Sequence, residues 1–424
     1  MLRSKLEDLK PVLVDVHEPE SVTTRSYREV DPRSVGLSPA DVEAIWSTVV
    51  AYYRLGLHPA LALCVRRRGE IVLDRAIGHA RGNSPQDPVG TPLVKATPNT
   101  LFNFFSGSKS ITAMLVHLLH ERGAINLDEP VATYVPEFAK NRKHRITIAD
   151  VLTHRSGIPS APSEALDLDL LKQPDEILRL VCDLRPTFKP GRVPAYHAIT
   201  GGFILQEVIE RVTGQDLRTI LRKAFREPMG MENFDYGVPE EKLDRVAMDA
   251  FTGPIPTWPH KNLIQNALGL SMRELVDVAN DPRFRTGVVP SGNIIATPEE
   301  IGRFFEMLLC GGVYDGKRVL KQQTIARAVK PETQGQVDRM LMLPVPYSMG
   351  FMLGSDVFGF YGARCGKAYG HLGFTNVLGW ADPERDISVA FMNTGKPLLS
   401  AKFIAWFNVM RTISTKIPRD RPGG

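Results

Sequence analysis

Stretches of apolar residues along this chain predict both strands and helices. Residues 60–67 and 71–77 are apolar runs separated by Arg68-Gly69-Glu70. This pattern predicts two antiparallel strands joined by a tight turn. Residues 111–119 are apolar almost without a break. They predict a helix that is buried on nearly all sides and ends at Gly123.

Local start and stop signals predict further helices. Ser38 followed by Pro39 predicts a helix to about residue 54, and Thr297-Pro298 predicts one to about residue 309. Gly214 ends a predicted helix over 200–213. Helices are also expected over 147–152, 217–225 and 398–413, strands over 374–381 and 387–393, and loops over 250–290.

Strands therefore lie near both ends of the chain, with helices between them. The predicted fold class is α/β (α+β), an antiparallel sheet flanked by helices with a mostly helical second subdomain. Residues 1–424 are expected to form a single catalytic unit. The α/β subdomain covers about 36–105 plus 290–424, the helical subdomain about 106–289, and residues 1–35 form an irregular arm. A cleft is expected where the sheet meets the helical part.

Composition and charge exclude several classes of protein. The chain has 43% hydrophobic residues and a net charge of +5, which suit a globular protein. Its basic run, Arg66-Arg67-Arg68, falls at the predicted turn without neighbouring aromatic residues, so no nucleic-acid partner is expected. No apolar run is long enough to span a membrane, and residues 1–22 contain no secretory signal, so a cytoplasmic location is expected.

The four cysteines are expected to be free thiols. They are widely spaced and form no C-x-x-C pair. Cys64, Cys182 and Cys310 lie in apolar runs, where burial is the usual state of a cysteine.

Ser106-Gly107-Ser108-Lys109 carries the strongest chemical signal in the chain. An S-x-x-K at the start of a helix places the Ser oxygen and the Lys amine one turn apart on the same face. A desolvated, neutral lysine can take the proton of a serine hydroxyl and so make it a nucleophile. Burying Lys109 at the head of an apolar helix requires a partner or a neutral amine, which argues against a surface lysine.

Two other candidate sites lack residues that their chemistry requires. Residues 311–317 read G-x-x-x-x-G-K, but Arg318 follows where a P-loop has Ser or Thr. His117 and His120 lie three residues apart without further ligands at zinc-site spacing. We therefore expect no metal and no cofactor.

Four segments in order resemble the penicillin-recognising serine hydrolases, that is, the serine β-lactamases and penicillin-binding proteins. The closest resemblance is to the family VIII carboxylesterases, which are similar to class C β-lactamases. The segments are Ser106-Gly107-Ser108-Lys109, Val151-Leu152-Thr153-His154-Arg155-Ser156-Gly157-Ile158-Pro159, Tyr196-His197-Ala198 after Pro190-Gly191, and Gly370-His371-Leu372-Gly373-Phe374. The segment Val289 to Thr297 also resembles this superfamily.

The resemblance implies a role for each matching residue. Ser106 would be the acylated nucleophile, Lys109 its proton partner, and Tyr196 the general base, as phenolate or by sharing a proton with Lys109. The backbone N–H groups of Ser106 and Phe374 would form the oxyanion hole, and His371 would hydrogen-bond Tyr196 or a substrate oxygen. Gly373, Leu372 and His197 would contact substrate.

Departures from the β-lactamase pattern favour an ester as substrate. Ala198 stands where the family has Asn, and His371, Leu372 and Phe374 replace the polar residues of its Lys-Thr-Gly strand. The resemblance thus implies a serine carboxylesterase that cleaves short to medium acyl esters or lactones. An acyltransferase with an alcohol or amine acceptor is the alternative. A β-lactamase or amide hydrolase and a non-catalytic binding protein are weaker ones. A small-molecule ester is the expected partner, and a homo-oligomer stays open.

Overall fold

The structure is a computed structural model and describes residues 11–160, 167–254, 269–333, 335–357, 359–397 and 403–420. Its strands are β1 (Thr23–Arg25), β2 (Ala60–Arg67), β3 (Glu70–Arg81), β4 (Val94–Lys95), β5 (Phe102–Asn103), β6 (Asp235–Tyr236), β7 (Ile294–Ala296), β8 (Val313–Tyr314), β9 (Lys317–Arg318), β10 (Met352–Leu353), β11 (Tyr369–Leu372), β12 (Leu378–Asp382) and β13 (Ile387–Asn393). Its α-helices are α1 (Pro19–Val22), α2 (Pro39–Tyr53), α3 (Ser108–Glu121), α4 (Val131–Tyr134), α5 (Ile148–Leu152), α6 (Pro174–Asp183), α7 (Thr200–Thr213), α8 (Leu217–Leu221), α9 (Met272–Asn280), α10 (Pro282–Thr286), α11 (Pro298–Leu309), α12 (Gln322–Ala328) and α13 (Phe403–Lys416).

The main sheet joins the two ends of the chain. Its strand order is β1-β3-β2-β13-β12-β11-β10, and β4 pairs with β3. Strand β13 runs antiparallel to β2 along its whole length, from Ile387 opposite Arg67 to Asn393 opposite Leu61. Strands β2 and β3 form the antiparallel pair that the turn Arg68-Gly69-Glu70 predicts.

Each face of this sheet is covered by helices. Leu61, Leu63 and Val65 of β2 pack on one face with Trp46 of α2 and Trp406 of α13. Alternate residues of the same strand, Ala60 and Ala62, point to the other face and belong to the cluster that holds Ile301 and Phe305 of α11. This period of two is what a strand buried on both faces requires.

Helix α3 is the central helix of the helical part. Its residues from Ser110 to Leu119 are all buried. It packs against α7, which begins at Thr200 and ends at Gly214 in the left-handed conformation, as the sequence predicts. The helix-rich cluster around α3 is continuous with the α11 face of the sheet.

Three predicted segments differ from the structure. Residues 19–25, expected in an irregular arm, form α1 and the edge strand β1, which pairs with β3. The strand expected over 374–381 starts only at Leu378, because the Gly373 N–H donates to the Val377 oxygen (2.7 Å) and closes a turn.

The expected loops of 250–290 contain helices α9 and α10, whose caps are Ser271 and Asp281; residues 255–268 lie outside the described part. The predicted helix 398–413 is observed as α13, and residues 398–402 likewise lie outside the described part. Cys310, expected to be buried, is exposed because α11 ends at Leu309 and leaves it at the C-cap. Within the described ranges, no helix combines the length and apolar character needed to cross a membrane.

Candidate active site

Ser106 lies on a strained turn between β5 and α3. Residues Phe105–Gly107 form a 3-10 turn, and Phe105 has φ of +48°, a conformation that a bulky residue adopts rarely. The Phe105 N–H donates to Oδ1 of Asn103 at 3.0 Å. Gly107 is required here, since a Cβ atom at this position would overlap the ring of Phe104. The turn leaves Ser106 partly exposed while its neighbours are buried.

Ser108 fastens this turn to strand β7. Its hydroxyl donates to the Phe105 oxygen (2.6 Å) and accepts from the Ile294 N–H (2.9 Å). The Phe104 N–H also donates to the Ile294 oxygen at 2.8 Å. The backbone on both sides of Ser106 is therefore held by the strand beside it.

Lys109 Nζ lies at hydrogen-bond distance from three oxygens. It is 3.2 Å from Ser106 Oγ, 2.9 Å from the Ala198 oxygen and 3.1 Å from the Ser291 oxygen. Burial lowers the pKa of Lys109 to about 7, so neutral amine is abundant at neutral pH. A neutral amine has two N–H groups and one lone pair. When the two carbonyls accept the N–H groups, the lone pair faces the Ser106 hydroxyl.

Tyr196 lies next to this pair. Lys109 Nζ is 4.9 Å from the centre of its ring. Burial raises the pKa of Tyr196, and its hydrogen bond with Ser106 only partly offsets that rise. Tyr196 therefore holds its proton at neutral pH, and the phenol can donate to Ser106 Oγ.

His371 is buried in β11 next to Tyr196. The two rings lie 6.4 Å apart between centres. Nδ1 of His371 lies 2.8 Å from the Leu372 oxygen, which assigns the ring proton to Nδ1 and leaves Nε2 as an acceptor. Burial and the nearby Lys109 lower the pKa of His371 to about 3, so this ring is neutral at physiological pH.

The end of β11 brings Phe374 to the nucleophile turn. A Cβ atom at Gly373 would lie 2.6 Å from the Phe104 oxygen, so only glycine allows this approach. The rings of Phe374 and Phe105 lie 5.6 Å apart between centres. Leu372, one residue earlier, is partly buried in the cluster that contains Tyr196.

His197 is buried. Its Nε2 lies 2.8 Å from Ser156 Oγ, and its backbone N–H donates to Nδ1 of His154 at 3.1 Å. Burial lowers its pKa to about 3. Together with Lys109, His154 and His371 it lines a cavity of about 30 Å³ behind the lysine, which we call the rear cavity.

Sequence reasoning assigned no role to three residues that surround Tyr196. The His154 ring lies 4.8 Å from that of Tyr196 and 4.9 Å from that of Tyr347. Buried Asp338 accepts from the Tyr196 N–H (3.3 Å) and the Tyr347 hydroxyl (3.1 Å). His154 belongs to the segment Val151 to Pro159, which resembles the family, and the sequence could therefore have indicated it. Asp338 and Tyr347 lie far along the chain and carry no local signal.

An apolar cavity opens beside Ser106. Its volume is about 150 Å³, and we call it the front cavity. Its walls include Phe105, Ser106, Ile199, Phe203, Val289 and Phe374. Ser106, Lys109, Tyr196 and His371, which the sequence predicts as one site, lie close together, and Ser106 is the one of the four that lines this apolar cavity.

Comparison with known proteins places this chain in a family. The chain matches the Beta-lactamase family over residues 50–410. It is 28% identical over 374 residues to Esterase/beta-lactamase LipL of Mycobacterium tuberculosis, covering 82% of this chain and 81% of the relative. The crystal structure of a penicillin-binding protein homologue from Caulobacter crescentus has a TM-score of 0.73 at 25% identity, covering 90% of this chain and 99% of that chain.

The crystal structure of a family VIII carboxylesterase also has a TM-score of 0.73 at 25% identity, covering 88% of this chain and 98% of that chain. These matches confirm the resemblance that the four sequence segments carry. They also confirm the predicted fold of helices and an antiparallel sheet.

Proposed function

The chain belongs to the β-lactamase family, and from that premise we propose that it is a serine hydrolase that cleaves carboxylic esters through an acyl-enzyme on Ser106. The observation that carries this proposal is the 3.2 Å separation of Lys109 Nζ and Ser106 Oγ, with the Lys109 pKa lowered to about 7. Substrates of this class are short to medium acyl esters or lactones.

In the first step Ser106 Oγ attacks the carbonyl carbon of the ester. Its proton passes to the lone pair of Lys109 Nζ, which becomes an ammonium. Because burial raises the Tyr196 pKa, Tyr196 begins as a phenol and not as the phenolate that the resemblance allows. The backbone N–H groups of Ser106 and Phe374 would hold the oxyanion, a contribution of about 2.7–4 kcal/mol for each such donor.

The tetrahedral intermediate then breaks its bond to the alcohol oxygen. Tyr196 donates its hydroxyl proton to that oxygen and regains a proton from the Lys109 ammonium. This leaves acylated Ser106, a neutral lysine and a free alcohol. In the deacylation step, a water molecule gives a proton to the pair of Lys109 and Tyr196 and attacks the carbonyl carbon of the acyl group. The released Ser106 oxygen is reprotonated and the acid leaves.

An ester fits the site better than an anionic β-lactam. Phe374, Leu372 and Ala198 offer no charge or amide near Ser106, and His371 is neutral because its pKa is about 3. The name of the LipL relative includes both esterase and β-lactamase, so both substrate classes belong in the test.

Intact-protein mass spectrometry after mixing with p-nitrophenyl butyrate, and separately with nitrocefin, tests the proposal. We expect rapid p-nitrophenol release and a butyryl adduct on the peptide that contains Ser106. Ser106→Ala should abolish both with little change in melting temperature, while the control Ser110→Ala, in the adjoining helix α3, should retain them.

Three other outcomes have distinct meanings. Turnover by Ser106→Ala would refute the nucleophile, and an adduct with nitrocefin alone would assign β-lactam substrates. Faster p-nitrophenol release on adding an alcohol, with formation of the new ester, would identify acyl transfer.

A further inference from the structure

Two apolar cavities lie next to each other in the helical part, and two side chains line both of them. The front cavity beside Ser106 has a volume of about 150 Å³. A second one, which we call the inner cavity, has about 290 Å³ and is lined by Val135, Leu178 and Leu217 among others. Phe203 and Leu171 line both.

The wall between these cavities is thin. Phe203 lies on α7, shortly after the segment that carries Tyr196 and Ala198, and is only partly buried. Leu171 packs against Gly287, where a Cβ atom would lie 2.9 Å from Leu171 Cδ1. The next two residues, Val288 and Val289, line the inner and the front cavity respectively. One layer of side chains therefore separates the two spaces.

We propose that the front cavity binds the acyl chain of the ester, and that Phe203 and Leu171 close its inner end and so limit the length of that chain. This inference rests on the proposed ester hydrolysis at Ser106. An apolar cavity of about 150 Å³ accommodates a molecule the size of benzene. Acyl chains of about four to six carbons therefore fill the front cavity, and longer ones meet the Phe203 ring.

The position of Tyr196 decides which half of the ester enters this cavity. The leaving alcohol must lie next to the group that protonates it. Tyr196 is not among the described residues that line the front cavity. Its side chain packs with Val345, Tyr347 and Met352 instead. The alcohol consequently leaves on the Tyr196 side, and the acyl chain takes the space between Phe374 and Phe203.

The test measures kcat/KM for p-nitrophenyl esters with acyl chains from two to twelve carbons. The wild type should favour four to six carbons. Phe203→Ala should raise the ratio of the ten-carbon to the four-carbon ester by about tenfold or more, since each accommodated methylene group changes kcat/KM strongly. Phe203→Leu should shift the ratio in the same direction by a smaller factor. It provides the same test if the alanine variant does not fold.

Leu178→Ala is the matched control, because it enlarges the inner cavity without opening the wall and should leave the ratio unchanged. A second series, acetate esters of alcohols of increasing length, should show no effect of Phe203→Ala.

An unchanged acyl-length ratio in folded, active Phe203→Ala and Phe203→Leu would overturn the inference while leaving ester hydrolysis intact. A shift confined to the alcohol series would overturn the assignment of the acyl half. If the wild type hydrolyses none of these esters, the proposed function itself fails, and this inference fails with it.

Discussion

At the scale of single residues, two pKa shifts in opposite directions divide the acid–base work. Burial lowers the pKa of Lys109 to about 7 and raises that of Tyr196, although the two side chains are neighbours. Burial disfavours the charged form of each group, so Tyr196 keeps its proton and a large fraction of Lys109 is neutral at neutral pH. A neutral amine and a neutral phenol beside one hydroxyl supply a base and an acid without a net charge.

The activity should therefore depend on pH through Lys109. Only the neutral amine accepts the Ser106 proton, so kcat/KM should rise with pH and level off above an apparent pKa of about 7. His371 and His197, with pKa values of about 3, do not titrate in this range. Measurement of kcat/KM for p-nitrophenyl butyrate between pH 5 and 9 checks this. A profile that is flat across pH 7 would contradict it.

Replacing Tyr196 by phenylalanine removes the hydroxyl and leaves the ring in place. We expect kcat to fall by about a hundredfold or more, the scale of general acid–base catalysis, because the leaving alcohol loses its proton donor. Steady-state kinetics with p-nitrophenyl butyrate and with a less activated alkyl ester measure the loss, which should be larger for the alkyl ester. Tyr53→Phe, in α2, is the control. Equal rates for Tyr196→Phe and wild type would assign proton transfer to the leaving alcohol to Lys109 alone or to His371.

At the scale of elements, the sequence predicted the features that depend only on residues close together in the chain. Helix α11 has the bounds that Thr297 and Pro298 indicate, because the Thr297 cap and the Pro at the first position are local. The sequence predicted Ser106 and Lys109 as a pair because a spacing of three residues places two side chains one helical turn apart. The turn before Leu378 was missed because Thr375 and Asn376 adopt positive φ values, which their sequence does not specify. Asp338 and Tyr347 were missed because only tertiary packing brings them to Tyr196.

The turn that presents Ser106 depends on the hydroxyl of Ser108. Ser108→Ala would remove two buried hydrogen bonds, to the Phe105 oxygen and from the Ile294 N–H. An unsatisfied buried group costs about 1–3 kcal/mol, so the free energy of unfolding should fall by about that amount. Because the same bonds fix the backbone beside Ser106, kcat should fall as well. Urea denaturation and ester kinetics test the two effects, and an unchanged midpoint with unchanged kcat would exclude this role.

At the scale of the whole molecule, the site is assembled from distant parts of the chain. Ser106 follows β5, Tyr196 precedes α7, and His371 lies in β11. Lys396, just after β13, lies beside the residue that precedes Ser106. Its Nζ pairs with Asp249 Oδ1 at 3.1 Å and lies 4.5 Å from the centre of the Phe105 ring.

The same buried amine supports the loop that carries the Phe374 N–H. Lys396 Nζ donates to the backbone and side-chain oxygens of Asn393 at 2.9 and 3.1 Å. Asn393 Nδ2 in turn donates to the Thr375 oxygen at 3.0 Å. One cation thus holds both the residue before the nucleophile and the loop behind the expected oxyanion hole.

Removing this cation should destabilise the fold and slow the enzyme together. Lys396→Met leaves the carboxylate of Asp249 buried without its cation, which costs about 3–5 kcal/mol of unfolding free energy. Replacing both residues, as Lys396→Met with Asp249→Asn, should recover much of that stability but not kcat, because the contacts to Asn393 and Phe105 stay lost. Urea denaturation and ester kinetics on both variants separate the two effects. Lys416→Met, which breaks an exposed pair with Asp41, is the control and should change neither. A double variant with wild-type kcat would show that the cation only balances charge, and the positions of Phe105 and Thr375 would then be set by packing alone.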